Sequence, residues 1–240
     1  MAYTIKLLKK EMVAQGTMAF RFQKPVGFEY KAGQSMDLTL INPPKTDAEG
    51  NTRAFSYASA PSDDYLMVAT RMRQTAFKDV LKELPEGAEL SFEGPFGSMT
   101  LHNDIAKPAV LLAGGIGITP FHSMVKQAGH DHLPHKLFLF YSNRKPEDAV
   151  FLEELQKLQD ANPNYKLIAT MTDLANSTQK WSGETGYINK EMLNKYLGED
   201  LSTPIYYLAG PPQMVAALKK MLNESGVNDD YIRFEEFSGY

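Results

Sequence analysis

Through about residue 100 apolar and polar positions alternate: Met18, Phe20 and Phe22, then Met36, Leu38 and Leu40, then Leu66 and Val68, then Leu90 and Phe92. A period of two turns one face of an extended strand toward a core and the other toward water, so this half predicts short antiparallel strands. Breakers separate them at Lys24-Pro25, Gly27, Asn42-Pro43-Pro44, Pro61-Ser62-Asp63-Asp64 and Pro85-Glu86-Gly87. Several such strands favour a small barrel or sandwich, with one helix inserted at about residues 76–84.

After about residue 104 the pattern changes to continuous apolar runs, Ala109–Ala113, Leu137–Tyr141, Lys166–Thr170, Ile205–Ala209 and Tyr231–Phe237. Runs of this kind predict buried parallel strands. The segments Pro146–Gln159, Asn189–Tyr196 and Pro211–Asn223 carry apolar residues three and four apart and predict crossover helices. The expected architecture is an antiparallel β-barrel domain over residues 1–103, then an α/β doubly wound parallel-sheet domain over residues 104–240. Ligands of such sheets sit beyond the carboxyl ends of the strands, which directs attention to the loops after Ala113, Tyr141, Thr170 and Ala209.

Composition narrows the chemistry. The chain has no cysteine, which removes disulfides, thiolate nucleophiles, thiolate zinc sites and cysteine-held iron–sulfur clusters, so any redox centre must be borrowed. Lys+Arg 25 against Asp+Glu 29 leaves a net charge of −4 with the basic residues scattered, which speaks against nucleic acid. The longest apolar stretch, from Ala109 to Phe121, is broken by three glycines and falls short of the roughly 20 residues of a membrane span. Lysines close to the start oppose a signal peptide, and the expected location is the cytoplasm.

Two strand-to-helix turns stand out. Ala113-Gly114-Gly115-Ile116-Gly117-Ile118-Thr119-Pro120 closes one apolar run and opens a helix, where bare amides and the helix dipole favour a phosphate. Pro120 stands at the third-glycine position of the usual dinucleotide fingerprint and suits a first helical turn. Ala209-Gly210-Pro211-Pro212 is the second turn, and it serves equally as a stiff helix start. In the first half, Arg53-Ala54-Phe55-Ser56 offers a guanidinium fork, a flat apolar face and a small hydroxyl. Alternation makes Phe55 as good a core residue. Thr75 is a candidate helix cap, whose first free amides would face another phosphate. The run His130-Asp131-His132…His135 lies in a polar connector with no carboxylate at ligand spacing and is not read as a metal site. No Gly-x-Ser-x-Gly elbow occurs.

In order, Tyr30-Lys31-Ala32-Gly33-Gln34, Arg53-x-Phe55-Ser56, Gly94-Pro95-Phe96-Gly97, Gly114-Gly115-x-Gly117-x-Thr119-Pro120, Ala209-Gly210-Pro211-Pro212 and Glu235-x-Phe237 resemble the ferredoxin–NADP reductase superfamily over nearly the whole chain. Each motif is weak alone; six in order are specific. The resemblance implies a six-stranded flavin barrel, a pyridine-nucleotide domain, FAD between them, and NADPH or NADH as donor. It places Arg53 on the flavin diphosphate, Phe55 on the isoalloxazine and Ser56 near N5. Thr75, Ala76 and Phe77 align with the family's second diphosphate contact, where its usual glycine and serine are replaced, and Met72 is also expected to bind the cofactor. Gly115, Gly117, Thr119 and Pro120 would line the nicotinamide nucleotide, with Gly210, Pro211 and Pro212 opposite. Ala209 stands where many relatives have a cysteine. Glu235 and Ser56 are expected to tune the ring edge, and Phe237 or Tyr240 to cover the flavin.

Such chemistry asks little of side chains, because two rings held within roughly 3–3.5 Å pass hydride directly. For coenzyme choice, Ser142 and Arg144 at the end of the second parallel run lean toward NADPH, and Asp173 would oppose a 2′-phosphate if it faces the same site. The expected function is a stand-alone flavoprotein reductase that serves a separate acceptor: a ferredoxin, a flavodoxin, an oxygenase component or a small molecule. The alternatives are a flavin-binding electron-transfer subunit and a nucleotide-binding module, both without nicotinamide turnover.

Overall fold

A computed structural model describes residues 2–237. The first half forms one six-stranded antiparallel sheet from β1 (Ala2–Ala14), β2 (Thr17–Gln23), β3 (Ser35–Leu40), β4 (Thr52–Ser56), β5 (Tyr65–Arg71) and β6 (Glu89–Phe96), in the order β4-β3-β6-β1-β2-β5. The sheet curls until its edges meet. Past the end of β4 the Ala58 amide donates to the Met67 carbonyl of β5 at 2.8 Å, and the Met67 amide donates to Ser59 Oγ at 3.0 Å. Phe20, Phe22, Leu38, Leu66, Val68 and Phe92 fill the interior, each contributing roughly 1.5–3 kcal/mol relative to an exposed position.

β1 went unread in the sequence. Its thirteen residues show only Ile5 and Leu7 fully buried, among lysines that face water. Helix α1 (Ala76–Glu83) follows β5 and turns Phe77, Val80 and Leu81 inward. Thr75 caps it, its Oγ1 accepting from the Lys78 amide at 3.2 Å, so this chain breaks its strand pattern where a side chain supplies a helix start.

The second half is a six-stranded parallel sheet in the order β10-β9-β8-β7-β11-β12. Its strands are β7 (Ala109–Gly114), β8 (Leu137–Asn143), β9 (Tyr165–Met171), β10 (Glu184–Thr185), β11 (Ile205–Gly210) and β12 (Ile232–Glu236). Every residue of β7 and β11 is buried, as continuous apolar runs require of strands covered on both faces. The crossovers are α2 (Ile118–His130), α3 (Leu152–Ala161), α4 (Lys190–Leu197) and α5 (Pro212–Glu224). The helix expected from Pro146 is interrupted: a short 3₁₀ turn spans Pro146–Asp148, Phe151 adopts a left-handed conformation at φ 60°, and α3 begins only at Leu152.

Helix α2 fastens the halves together. His122 Nδ1 lies 2.7 Å from the Ala58 carbonyl oxygen, Ser123 Oγ donates to the Ser59 carbonyl at 2.6 Å, and Gln127 Oε1 accepts from the Ser62 amide at 2.8 Å. Lys126 pairs with Asp63 at 2.9 Å. On its other side, His122 Nε2 lies 3.2 Å from Glu154 Oε2, and the ring stacks on Phe151 at 4.3 Å. No helix among the described residues is long and apolar enough to cross a membrane.

Candidate functional site

A cleft of about 430 Å³ opens where the halves meet. The barrel supplies Arg53, Phe55 and Ser56 from β4, Thr70 and Arg71 from β5, and Thr75 and Lys78 at the start of α1. The second half supplies Ile116, Thr119 and Phe237. Segments far apart in sequence thus reach one space, because β4 and β5 form the barrel edge that α2 holds against the parallel sheet.

The β4 motif divides by alternation. Ala54 is exposed, Arg53 and Phe55 are half-buried, and Ser56 is 6% exposed at the floor. Phe55 lies 6.0 Å from Phe77, centroid to centroid, and the Arg53 guanidinium sits 5.2 Å over the Phe77 ring. Phe77, 1% exposed, therefore belongs to the barrel interior and supports the cleft from beneath. Met72 likewise packs on the barrel core, with its amide donating to the Gly16 carbonyl at 2.8 Å, and does not line the cleft.

The cleft is cationic in a chain of net charge −4. Burial, then the neighbouring charges of Arg73 and Arg53, hold the Lys78 ammonium below its usual pKa. The buried Nε of Arg71 has no hydrogen-bond partner among the described residues. Arg53 holds an internal anion: Asp47 Oδ1 lies 2.8 Å from Arg53 Nη2. Burial opposes ionisation of Asp47, but that contact, together with the Glu49 amide, holds its carboxyl below the ordinary range. These donors suit the phosphates of a flavin nucleotide, and Phe55 with Phe237 suits a planar ring.

The two glycine turns lie side by side because β7 and β11 pair in parallel with Ala113 opposite Ala209. Gly115 adopts φ +53°, and a Cβ on Gly117 would lie 2.2 Å from the Ala209 carbonyl oxygen. Both glycines thus have structural work in bringing α2's amino end to the cleft. Thr119, 2% exposed, donates through Oγ1 to the Ile116 carbonyl at 3.1 Å, and Pro120 sits in the first turn of α2. Pro211 precedes α5 and Pro212 opens it, with Gly210 against Gly114.

Glu235 lies beside rather than in the main cleft. Its Oε1 is 3.5 Å from where a Gly97 Cβ would stand, next to Ser35, the strand partner of Ser56. Burial raises its carboxyl pKa. Ser142, near the end of β8, is half-buried, and Arg144, just past that end, is exposed. Between them Asn143 is 5% exposed, with neither amide atom partnered among the described residues. Tyr240 lies outside the described residues. Sequence reasoning missed Asp47, Lys78, Arg71 and Asn143. Lys78 was findable as the residue three beyond a capping threonine, whereas Asp47 sits in a polar loop whose path sequence does not specify.

The histidine run splits between surface and interior. His130 pairs with Asp131 at 3.0 Å, while His135 is buried edge-on to His102 at 5.2 Å.

Residues 111–220 match the family described as the oxidoreductase NAD-binding domain. The glycine betaine monooxygenase reductase subunit of Chromohalobacter salexigens is 29% identical over 224 residues, covering 92% of this chain and 60% of that protein. A subunit of the Na(+)-translocating NADH-quinone reductase of Haemophilus influenzae is 30% identical over 204 residues, covering 78% of this chain and 48% of that protein. The chain thus spans about half to three-fifths of the length of these relatives. In fold, a ferredoxin NADP+ reductase from Neisseria gonorrhoeae, solved with FAD and NADP bound, superposes with a TM-score of 0.80 at 21% identity, covering 98% of each chain.

Proposed function

We propose that this chain, which resembles the ferredoxin–NADP reductase superfamily in the order of its motifs and shares its fold, is a flavoprotein reductase that takes electrons from NADH or NADPH and delivers them to a separate acceptor. The observation that carries this reading is the single cleft joining Arg53, Phe55 and Ser56 of the barrel to Ile116 and Thr119 of the coenzyme turn and to Phe237 near the chain end. FAD held here would supply the redox chemistry, as the acceptor of hydride from a dihydronicotinamide.

The protein's part is position. Arg53, the amino end of α1 at Thr75 and Ala76, and Lys78 hold phosphate; Phe55 gives the ring a face; Ser56 sets a hydroxyl at its edge. Gly115, Gly117, Thr119 and Pro120 shape one wall of the nicotinamide site, and Gly210, Pro211 and Pro212 the other. Ser142 and Arg144 receive the adenosine ribose. Ala209 brings no sulfur, so no polar help from that position enters the scheme. We place the division between flavin and nucleotide units at residues 1–103 and 104–240, within the connection from β6 to β7.

For the acceptor we favour a protein partner, an oxygenase component, ferredoxin or flavodoxin, over a small molecule. The support is that one relative bears the name of a monooxygenase reductase subunit. Purification tests the proposal: the protein should be yellow or take up flavin, and anaerobic NADH or NADPH should bleach it. A colourless protein that refuses flavin would favour a nucleotide-binding module, and a flavin that neither coenzyme reduces would favour an electron-transfer subunit.

A further inference from the structure

The two ends of the Arg53 guanidinium have partners of different kinds. Nη1 donates to the backbone carbonyls of Glu49 at 3.1 Å, Gly50 at 3.0 Å and Thr52 at 2.8 Å. Nη2 instead faces two carboxylates, Asp47 Oδ1 at 2.8 Å and Glu49 Oε2 at 3.1 Å. Neutral carbonyls fix the plane of the group, while the charged edge is held by side chains that can rotate away. The Asp47 carboxylate also accepts from the Glu49 amide at 3.1 Å. One carboxylate therefore occupies the outer edge of an arginine fork, a donor edge that a phosphate group takes. Glu49 lines the cleft beside them, and Lys45 ties the same loop to α1 through Asp79 at 2.9 Å.

We propose that Asp47, assisted by Glu49, is a built-in competitor for the anion subsite of this cleft, so that the diphosphate of a flavin nucleotide binds by exchange at Arg53 Nη2. Arg53 Nη1 stays on its carbonyls throughout, which keeps the guanidinium aimed whichever anion it holds. The inference rests on the flavin reading and goes beyond it by assigning Asp47 a role in how tightly the cofactor is held. Two carboxylates and a diphosphate cannot occupy one arginine edge together, because like charges at this separation repel. Affinity for a phosphorylated flavin is thus a difference between two anions, whereas a flavin without phosphate has no stake in the exchange.

The test titrates flavin-stripped wild type, Asp47→Asn and Glu49→Gln with FAD and with riboflavin, reading flavin fluorescence. Asp47→Asn should bind FAD about three- to tenfold tighter, a range set by the modest strength of partly exposed ion pairs. Glu49→Gln should shift it less in the same direction, and riboflavin affinity should not move. Weaker FAD binding by Asp47→Asn, or equal shifts for FAD and riboflavin, would overturn the exchange. If wild type binds FAD and the variants match it, the exchange falls and the flavin reading stands. If no variant and no wild type binds any flavin, both fall.

Discussion

The Arg144 guanidinium lies 3.1 Å from the Asp173 carboxylate, Nη2 to Oδ2, across the carboxyl ends of β8 and β9. The Asp173 amide donates to the Arg144 carbonyl at 2.8 Å, and Asn176 Nδ2 donates to Asp173 Oδ1 at 2.8 Å. Hydrogen bonds from Asn176 and then Arg144 hold the Asp173 carboxyl below its usual pKa. Where Arg144 alone leans toward NADPH, a 2′-phosphate here meets an arginine already engaged by an acid. We expect Asp173→Asn to move the ratio of KM values for NADH and NADPH toward NADPH by about five- to tenfold, and Arg144→Glu to penalise NADPH selectively. Equal changes for both coenzymes would place the pair away from the ribose.

Gly117 and Gly129 make opposite predictions on neighbouring structure. A methyl group on Gly117 would strike the Ala209 carbonyl oxygen at 2.2 Å and the Gly210 nitrogen at 2.7 Å, backbone that cannot rotate aside. Gly117→Ala should cost about 1–3 kcal/mol or more and weaken coenzyme binding. Gly129, inside α2, has its nearest neighbour at 3.9 Å, so Gly129→Ala should stabilise by about 0.5–1 kcal/mol. Thermal melting of the two variants checks both signs.

Acid should loosen the attachment of α2 through Glu154. The His122 hydrogen bond, opposed by burial and aided by Lys126, lowers the Glu154 carboxyl to about 2. A folded value below the unfolded one of roughly 4.3 means stability fully present above that pH and lost as pH falls toward the folded value. Urea midpoints between pH 5 and 2 should fall more steeply for wild type than for Glu154→Gln, and identical slopes would remove Glu154 from the account.

Ser56→Ala should leave flavin bound and slow its reduction by about tenfold, the scale of one hydrogen bond to a developing charge. Stopped-flow reduction at saturating coenzyme separates this from binding, and an unchanged rate would strip Ser56 of its role. Burial raises the Glu235 carboxyl pKa, so Glu235→Gln should remove one limb from the pH profile of the same step.

Much of the fold lay open in the sequence because the two periods differ so clearly. The parallel strands are bare apolar runs, and alternation marked β2, β3, β5 and β6. β1 hid because lysines occupy its wet face and only Ile5 and Leu7 are deeply buried. The break before α3 hid because Phe151, an ordinary core residue by type, takes a left-handed backbone. Within the site, Arg53, Phe55 and Ser56 were visible as a motif, but their convergence with Thr119 and Phe237 depends on the pairing of β7 with β11 and the seat of α2. Phe77, expected at a cofactor contact, turns its side chain to the barrel interior from its place on α1. Asp47 left no trace, because a loop carboxylate acquires meaning only from what it touches.

The seat of α2 has a mechanical consequence. Gln127, near one end of the helix, is pinned to the barrel at Ser62, while Thr119, at the other, stands at the cleft. Eight residues of helix span about 12 Å and are held also at His122 and Ser123, so a tilt of about 5° that carries Thr119 through about 1 Å strains those nearer fastenings as well. Displacements of that size are enough to cost a proximity-driven reaction about a hundredfold. Aim at the cleft is therefore set jointly by the polar fastenings along α2, from His122 and Ser123 to Lys126 and Gln127, and a change at Asp63 or Lys126 would adjust it.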